Sequence, residues 1–437
     1  MKARLLGLAA LVVAGFVRAQ APAPAAPPRV VSLVGATIHP VSGPDIPKGT
    51  LIIRDGKIAS VSAGMAPAPD GPAIDVTGKH IYPSLLPPMT VLGLQEIGAV
   101  SATVDVHEIG GINPDARADV AMNFDSEVLP VARSGGVLLA GVSPSGGIIS
   151  GSVAVMRLDG WTREDAVLKA PAAIAVIWPD LHIDRSPKAS LSVRLQEKKR
   201  DEAVDRLKDA FHNARAYAKA KAAEGEAGIP RHDVDPKLAA LVPAVERKIP
   251  VIIVANRLDQ IRDALKWGQQ ENLRIVISGA ADGWRIAGEI AKAQVPVIIQ
   301  TPLDLPERED EPYDVQFANA GKLAQAGVEV LFNDADASNV RNYPHGVATA
   351  VAFGFPRERA VAGMTLEPAK ILGVADRVGS LEAGKDATLI VTDGDILDLR
   401  SRVVAAYLDG RALDLTDKQK RLYEKYWNRP KPVSSKQ

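Results

Sequence analysis

Between about residue 250 and residue 335 the chain repeats one pattern, an unbroken apolar run followed by an amphipathic stretch with helical spacing. PVIIVAN (250–256) leads into DQIRDALKWGQQ, and RIVISG (274–279) leads into DGWRIAGEIAKA. VPVIIQ (295–300) is followed by a Pro-rich acidic loop and FANAGKLAQAG. VEVLFND (328–334) is followed by a loop and two predicted helices ending near Gly373. The runs are continuous rather than alternating, as strands of a parallel sheet covered on both faces require. Such βα units predict a barrel or a doubly wound sheet.

Both ends of the chain read differently. Residues 29–80 alternate short β-type runs with turns, and Asp55-Gly56 between two apolar runs is a strong hairpin signal. After residue 376 the β-type signature returns in RVGSLEAGKDATLIVTDGD and RVVAAYLDGRAL. Neither half can bury a face alone, so 29–82 and 374–415 are predicted to pair into one β-domain. The middle is less regular: 137–161 reads as strands around a Gly/Ser loop, and AAIAVIWP (172–179) as a further strand. Residues 188–224 are charged and periodic, the pattern of a long solvated helix or helical hairpin in an outer layer or interface. The tail 416–437 reads as a helix followed by a frayed end.

Composition narrows the field. With 52 basic and 52 acidic residues among 437, the chain has no overall field to attract nucleic acid or anionic lipid. Residues 1–19 carry Lys2 and Arg4 before an apolar stretch and end in Val17-Arg18-Ala19, the pattern of a secretory signal. That stretch is shorter than the roughly 20 residues needed to cross a bilayer, so no stable membrane anchor is expected. QAPAPAAPP (20–28) reads as an extended Pro/Ala tether. An exported protein follows, most naturally a periplasmic one. The absence of cysteine excludes disulfides, thiol catalysis and Cys-based zinc sites.

Three stretches carry a family resemblance. Ile53-Arg54-Asp55-Gly56-Lys57-Ile58 is followed by Asp75-Val76-Thr77-Gly78-Lys79 and then Tyr82-Pro83-Ser84-Leu85-Leu86. Near the other end, MTLEPAKILGVADRVGSLEAGKDATLIV resembles a TxxPAxxLGxxxxxGSLxxGKDADLxV signature. Together these resemble the amidohydrolase superfamily, in particular its imidazolonepropionase-like group. The resemblance implies an α/β fold, a TIM-like (β/α)8 barrel over 83–373 beside a composite β-sandwich made by both chain ends. Gly379, Gly384 and Lys385 also have phosphate-loop spacing, but Asp386 stands where Ser or Thr is needed, and turns are the better reading.

The resemblance also implies zinc or another divalent metal at the strand ends. Its ligands would be an HxH pair on strand 1, a carboxylated Lys or Glu on strand 4, His on strands 5 and 6, and Asp on strand 8. Such a metal lowers the pKa of bound water from about 16 to about 7. Carried over by position, the two strand-1 histidines fall on Met89 and Val91, and the strand-5 and strand-6 histidines on Val254 and Gly279. AAIAVIWP holds no Lys, and Lys169 lies just before it. Only strand 8 keeps acid, with Asp336 the favoured counterpart and Asp334 close behind.

The seven histidines form no HxH, HxxxH or HExxH pair. His39, His80 and His212 are expected in surface or capping roles; His107, beside Asp105 and Glu108, and His345 are the two worth locating. SPSGGIISGS (143–152) lacks a nucleophile elbow. Asn339, Arg341 and Asn342 follow Asp336 and are expected at the barrel mouth, where they would bind a small-molecule or peptide-like ligand. These readings lead to an exported amidohydrolase relative without a bound metal cofactor. It would bind a ligand or partner an active paralogue or a second copy of itself. The alternative is a hydrolase of carbon–nitrogen bonds, cyclic amides among them, with an atypical metal site.

Overall fold

The computed structural model describes residues 29–226, 231, 233–300, 302–306 and 308–430. The expected signal, the tether, His232 and the final seven residues lie outside the described residues. In chain order the N-terminal strands are β1 Val30–Ile38, β2 Ile46–Arg54, β3 Lys57–Ala63, β4 Ala73–Asp75 and β5 His80–Pro83. The central strands are β6 Leu139–Val142, β7 Ile149–Arg157, β8 Val167–Ile177, β9 Val251–Ala255, β10 Ile275–Gly279, β11 Val297–Ile299 and β12 Val330–Phe332. The C-terminal strands are β13 Leu389–Thr392, β14 Val403–Leu408 and β15 Arg411–Ala412.

Strands from both chain ends form one sheet in the order β15-β14-β13-β5-β1-β2-β3, with β4 beside β1. β5 is the hub, parallel to β1 and antiparallel to β13. Its inner face buries Leu33, Ile38, Leu51 and Ile53 from one end of the chain against Leu389 and Val391 from the other. The Asp55-Gly56 pair turns β2 into β3 with positive φ at both positions, as a tight hairpin requires. Asp386, buried in the GKD turn, pairs with Lys57 and Arg377 and ties the two ends together. Gly379 and Gly384 both take φ of +92°, so they make turns here.

The central strands form a second sheet, β12-β11-β10-β9-β8-β7-β6. β8 to β12 run parallel, whereas β6–β7 and β7–β8 are antiparallel. This part of the barrel therefore departs from a strict (β/α)8 repeat. The cause is connection length: residues 143–148 and 158–166 are shorter than the dozen or so that a helical crossover needs.

Residues 85–91 occupy the gap between β6 and β12. They bridge β6 in parallel at Leu85↔Val137 and Thr90↔Val142. Pro87 and Pro88 bring no N–H into the gap, so a regular ladder cannot form there. The Pro87 carbonyl accepts from Gly141 N at 2.8 Å. A Cβ at 141 would overlap the Pro88 carbonyl, so glycine is required at that point. Toward β12, Asn333 replaces a strand with its side chain: Met89 N donates to Asn333 Oδ1 at 2.9 Å, and Asn333 Nδ2 donates to the Met89 carbonyl at 2.7 Å. Val91 N adds one main-chain bond, to the Ala335 carbonyl at 3.3 Å, and together these contacts complete the TIM-like ring.

Helices cover the outside. The helix Val193–Ala222 is a single long one, and it docks through buried Leu207, Phe211 and Ala214, with Ala210 packed beside them and Arg215 paired with Glu271. Phe211 meets Trp267 edge-on at 5.0 Å. Burying each large apolar side chain of this kind contributes roughly 1.5–3 kcal/mol. Three helices, not two, follow β12: Tyr343–Ala352, Arg357–Met364 and Leu366–Leu372. The last two are separated at Thr365, whose φ of −133° and ψ of −76° leave the helical region.

Candidate functional site

The C-terminal ends of β9 to β12 open onto one face of the barrel. A chain of neutral polar groups crosses it. Asn333, just after β12, donates to Gln300 Oε1 at 2.9 Å, and Gln300 Nε2 donates to Ser278 Oγ at 3.0 Å. Ser278 and Asn333 are buried. Each carboxamide offers a donor and an acceptor in fixed places, so the chain has a direction and needs no charge.

Beside it lies a cavity of about 450 Å³ lined by Asn256, Gln300, Gln316 and Asn319, with Ile299, Pro302 and Asp304 among the other walls. Asn319 Nδ2 donates to the Ala280 carbonyl at 2.9 Å. Its Oδ1 is buried and has no protein partner. An acceptor left this way costs about 1–3 kcal/mol unless something bonds to it. An adjoining crevice shares Pro302 and is lined by Asn333, Asp334 and Tyr343. Asp334 is 5% exposed, and its carboxyl is pushed up to about 6. Burial is the main cause; the backbone N–H of Asp336 opposes it, and the charges of Asp336 and Asp304 add to it. Tyr343 is raised well above its ordinary value, again by burial, and its hydroxyl donates to the Phe332 carbonyl at 2.6 Å.

The loop over the cavity is held by charge. Arg308 grips buried Asp282 with both terminal nitrogens, at 2.7 and 2.8 Å, and also pairs with buried Glu311. Arg285 joins Glu311 at 2.9 Å, and Leu258 N donates to Asp282 at 3.0 Å. Burial alone would raise the Asp282 carboxyl. The Arg308 hydrogen bonds, the Leu258 N–H and the two arginine charges outweigh it and hold Asp282 below the ordinary range.

Comparisons with known proteins match this architecture. The amidohydrolase family model matches residues 286–419. A crystal structure of an amidohydrolase from Thermotoga maritima MSB8 superposes with a TM-score of 0.77 at 25% identity, covering 88% of this chain and 99% of that one. The chain has the fold of the amidohydrolase superfamily, and residues 286–419 match its family model. Amidohydrolase tasK of Hapsidospora irregularis is 31% identical over 96 residues, which are 22% of this chain and 10% of that protein. A prolidase complexed with N-methylphosphonate-L-proline shares the fold, with a TM-score of 0.53 at 16% identity, covering 88% of this chain and 99% of that one.

The positions where the resemblance implies metal ligands carry other side chains. Met89 is buried in the core, with its backbone N–H and carbonyl both bonded to Asn333. Val91 and Val254 pack against the same core. Gly279 has φ of +94°, and a Cβ there would lie inside Asn256 Oδ1, so the space a side chain would need is already filled. Lys169 is at the start of β8, far from its mouth end, where its ammonium donates to the carbonyls of Leu372 and Gly373. Among the described residues, no three His, Cys, Asp or Glu side chains are grouped to hold a metal ion. These positions do not fit a divalent ion.

Of the residues singled out from sequence, Asp334 lies in the mouth crevice. Asp336 is exposed, and its carboxylate accepts from Ser338 N at 2.6 Å and from Asn339 Nδ2 at 3.2 Å. Arg341 backs onto Gly135, and neither it nor Asn339 nor Asn342 lines the two mouth cavities. His107 is exposed beside Gly146; His345 is half-buried, and burial lowers its pKa. The structure does unite two histidines that the sequence keeps apart. His39 Nε2 and His80 Nδ1 lie 2.9 Å apart, His39 bonds Asp45 at 2.9 Å, and its ring stacks on Tyr82 at 4.1 Å. They stand in and beside the β-sheet at β5, where Tyr82 also sits. Asn333, Gln300 and Ser278 escaped the sequence reading, because neutral residues at strand ends carry no spacing signature.

Proposed function

We propose that this amidohydrolase acts on a carbon–nitrogen bond of a small amide- or urea-type molecule held in the strand-end cavity, with Asp334 transferring protons and no divalent ion. The observation that carries this reading is the lining. Four carboxamides face the cavity, one with a buried acceptor still unpaired, and the adjoining crevice holds a carboxyl with a pKa of about 6. Carboxamides pair reciprocally with an amide, donor to carbonyl and carbonyl to N–H. A carboxyl near pKa 6 gives and takes a proton readily at neutral pH. Such acid–base help is worth roughly 10²–10⁴-fold, far below the effect of a metal-bound hydroxide, so slow turnover is expected. The likeness to the Thermotoga maritima amidohydrolase and to Amidohydrolase tasK supports a hydrolase.

A second reading is binding without turnover, beside an active paralogue or a second copy. Met89, Val91, Val254 and Gly279 at the family's histidine positions favour it. One experiment separates the two. The purified protein is assayed with dipeptides, cyclic dipeptides and phenylureas in chelator, and again as Asp334→Asn. Chelator-resistant hydrolysis that falls about 100-fold or more in Asp334→Asn supports the hydrolase. Saturable binding without turnover, weakened by Asn319→Leu, supports the second reading. Hydrolysis that needs stoichiometric zinc or manganese overturns both.

A further inference from the structure

The C-terminal helix Lys418–Trp427 presents its apolar side outward. At about 100° per residue, Leu422, Tyr426, Gln419, Tyr423 and Trp427 fall within an arc of about 140°. Lys418, Lys420, Arg421, Glu424 and Lys425 occupy the remainder. The polar side faces the body: buried Asp417 caps the helix by accepting from Lys420 N at 2.8 Å, and Arg421 pairs with Glu127 at 2.9 Å. The apolar arc faces solvent. Tyr423 is 63% exposed, Tyr426 58% and Trp427 73%, and no residue of the helix is buried. Tyr423 stacks on Trp427 at 5.6 Å, so the aromatic surface is ordered as one patch. Folding gains nothing from that arrangement, since an amphipathic helix is stabilised by turning its apolar stripe inward.

We propose that this helix docks the protein onto an anionic lipid surface. Lys418 and Lys425 flank one edge of the arc, Lys420 on the other turns back to Asp417 and the Leu415 carbonyl, and no carboxylate lies within the arc. Tyr and Trp rings suit the headgroup level of a bilayer, and a helix with this division of faces lies in the interface plane. A second copy fits less well. A two-fold contact would set lysine rims against lysine rims. The patch also offers only about 400–500 Å², short of the roughly 800 Å² per partner of a stable dimer. Overall neutrality therefore hides a local basic rim around an aromatic face.

The test is co-sedimentation of the intact protein with phosphatidylcholine vesicles, with and without phosphatidylglycerol, together with tryptophan emission. Binding should require phosphatidylglycerol, weaken with salt, and be accompanied by a blue shift absent from Trp427→Phe. Combined Tyr423→Ser, Tyr426→Ser and Trp427→Ser substitutions, all on exposed side chains, should weaken it about tenfold or more. Lys418→Glu with Lys425→Glu should do likewise without removing apolar surface. No binding to anionic vesicles, or binding unchanged in both variants, overturns the proposal. Self-association abolished by the aromatic variant, with vesicles ignored, assigns the face to a second copy. Capture of polyglutamate but not vesicles assigns it to an acidic protein segment.

Discussion

Two polar networks share the rim of this barrel and are built on opposite terms. Above β10, Asp282 and Glu311 are buried carboxylates held by Arg308 and Arg285, so that stability there depends on charge staying matched. Across β12, β11 and β10, Asn333, Gln300 and Ser278 form a chain with no charge at all, so that stability there depends on donors meeting acceptors. The contrast teaches what each network tolerates. The charged one should yield to acid and the neutral one to any change of hydrogen-bonding direction.

The largest effect is expected from Asp282→Ala, which takes one of two carboxylates from Arg308 and the acceptor from the Leu258 N–H. Losing one partner of a buried ion cluster costs about 3–5 kcal/mol, read as a shift in the urea midpoint. A smaller loss than that of an ordinary surface substitution would break the contrast. Because Asp282 and Glu311 are both held below their ordinary range, their contribution is present above the unfolded value near 4 and fades as pH falls through the folded values.

Asn333→Asp sharpens the comparison from the neutral side. A carboxylate cannot donate to the Met89 carbonyl or to Gln300 Oε1, and two oxygens then face it. About 2–4 kcal/mol should be lost at neutral pH, with partial recovery in acid as the new group protonates. A loss independent of pH would contradict this account.

Asp334→Asn should work in the opposite direction. Its folded pKa of about 6 stands above the unfolded value near 4, so ionisation opposes folding. The penalty grows between those two values and is complete above the upper one. The amide should therefore stabilise the protein by roughly 2–3 kcal/mol above pH 6 and by nothing below pH 4. Thermal unfolding across that range checks it. The smallest effect is Gly279→Ala, at about 1–2 kcal/mol from positive φ and the displaced Asn256 amide. An unchanged melting temperature would show that Asn256 swings aside freely.

Legibility followed the kind of signal each element carried. β9 to β12 were readable because both faces are covered and each strand is an unbroken apolar run. The Asp55-Gly56 hairpin was readable because so few residues accept positive φ twice in succession. The reversed direction of β7 was not, since the sequence marks strands but not their sense; only the short connections reveal it. At the site, Asp334 drew notice by its charge, while the neighbouring Asn333, which makes three hydrogen bonds across the rim, did not. Nor could spacing pair His39 with His80, which β1 and β5 bring side by side from 41 positions apart.

Because Pro87 and Pro88 leave residues 85–91 short of main-chain donors, the hoop of strands is buckled at one place by a side chain and a single main-chain bond rather than sewn all the way round. A buckle can slip without tearing the cloth. Breathing of the barrel should begin there, with the Met89 amide trading its proton for deuterium sooner than the amides of β9 and β10.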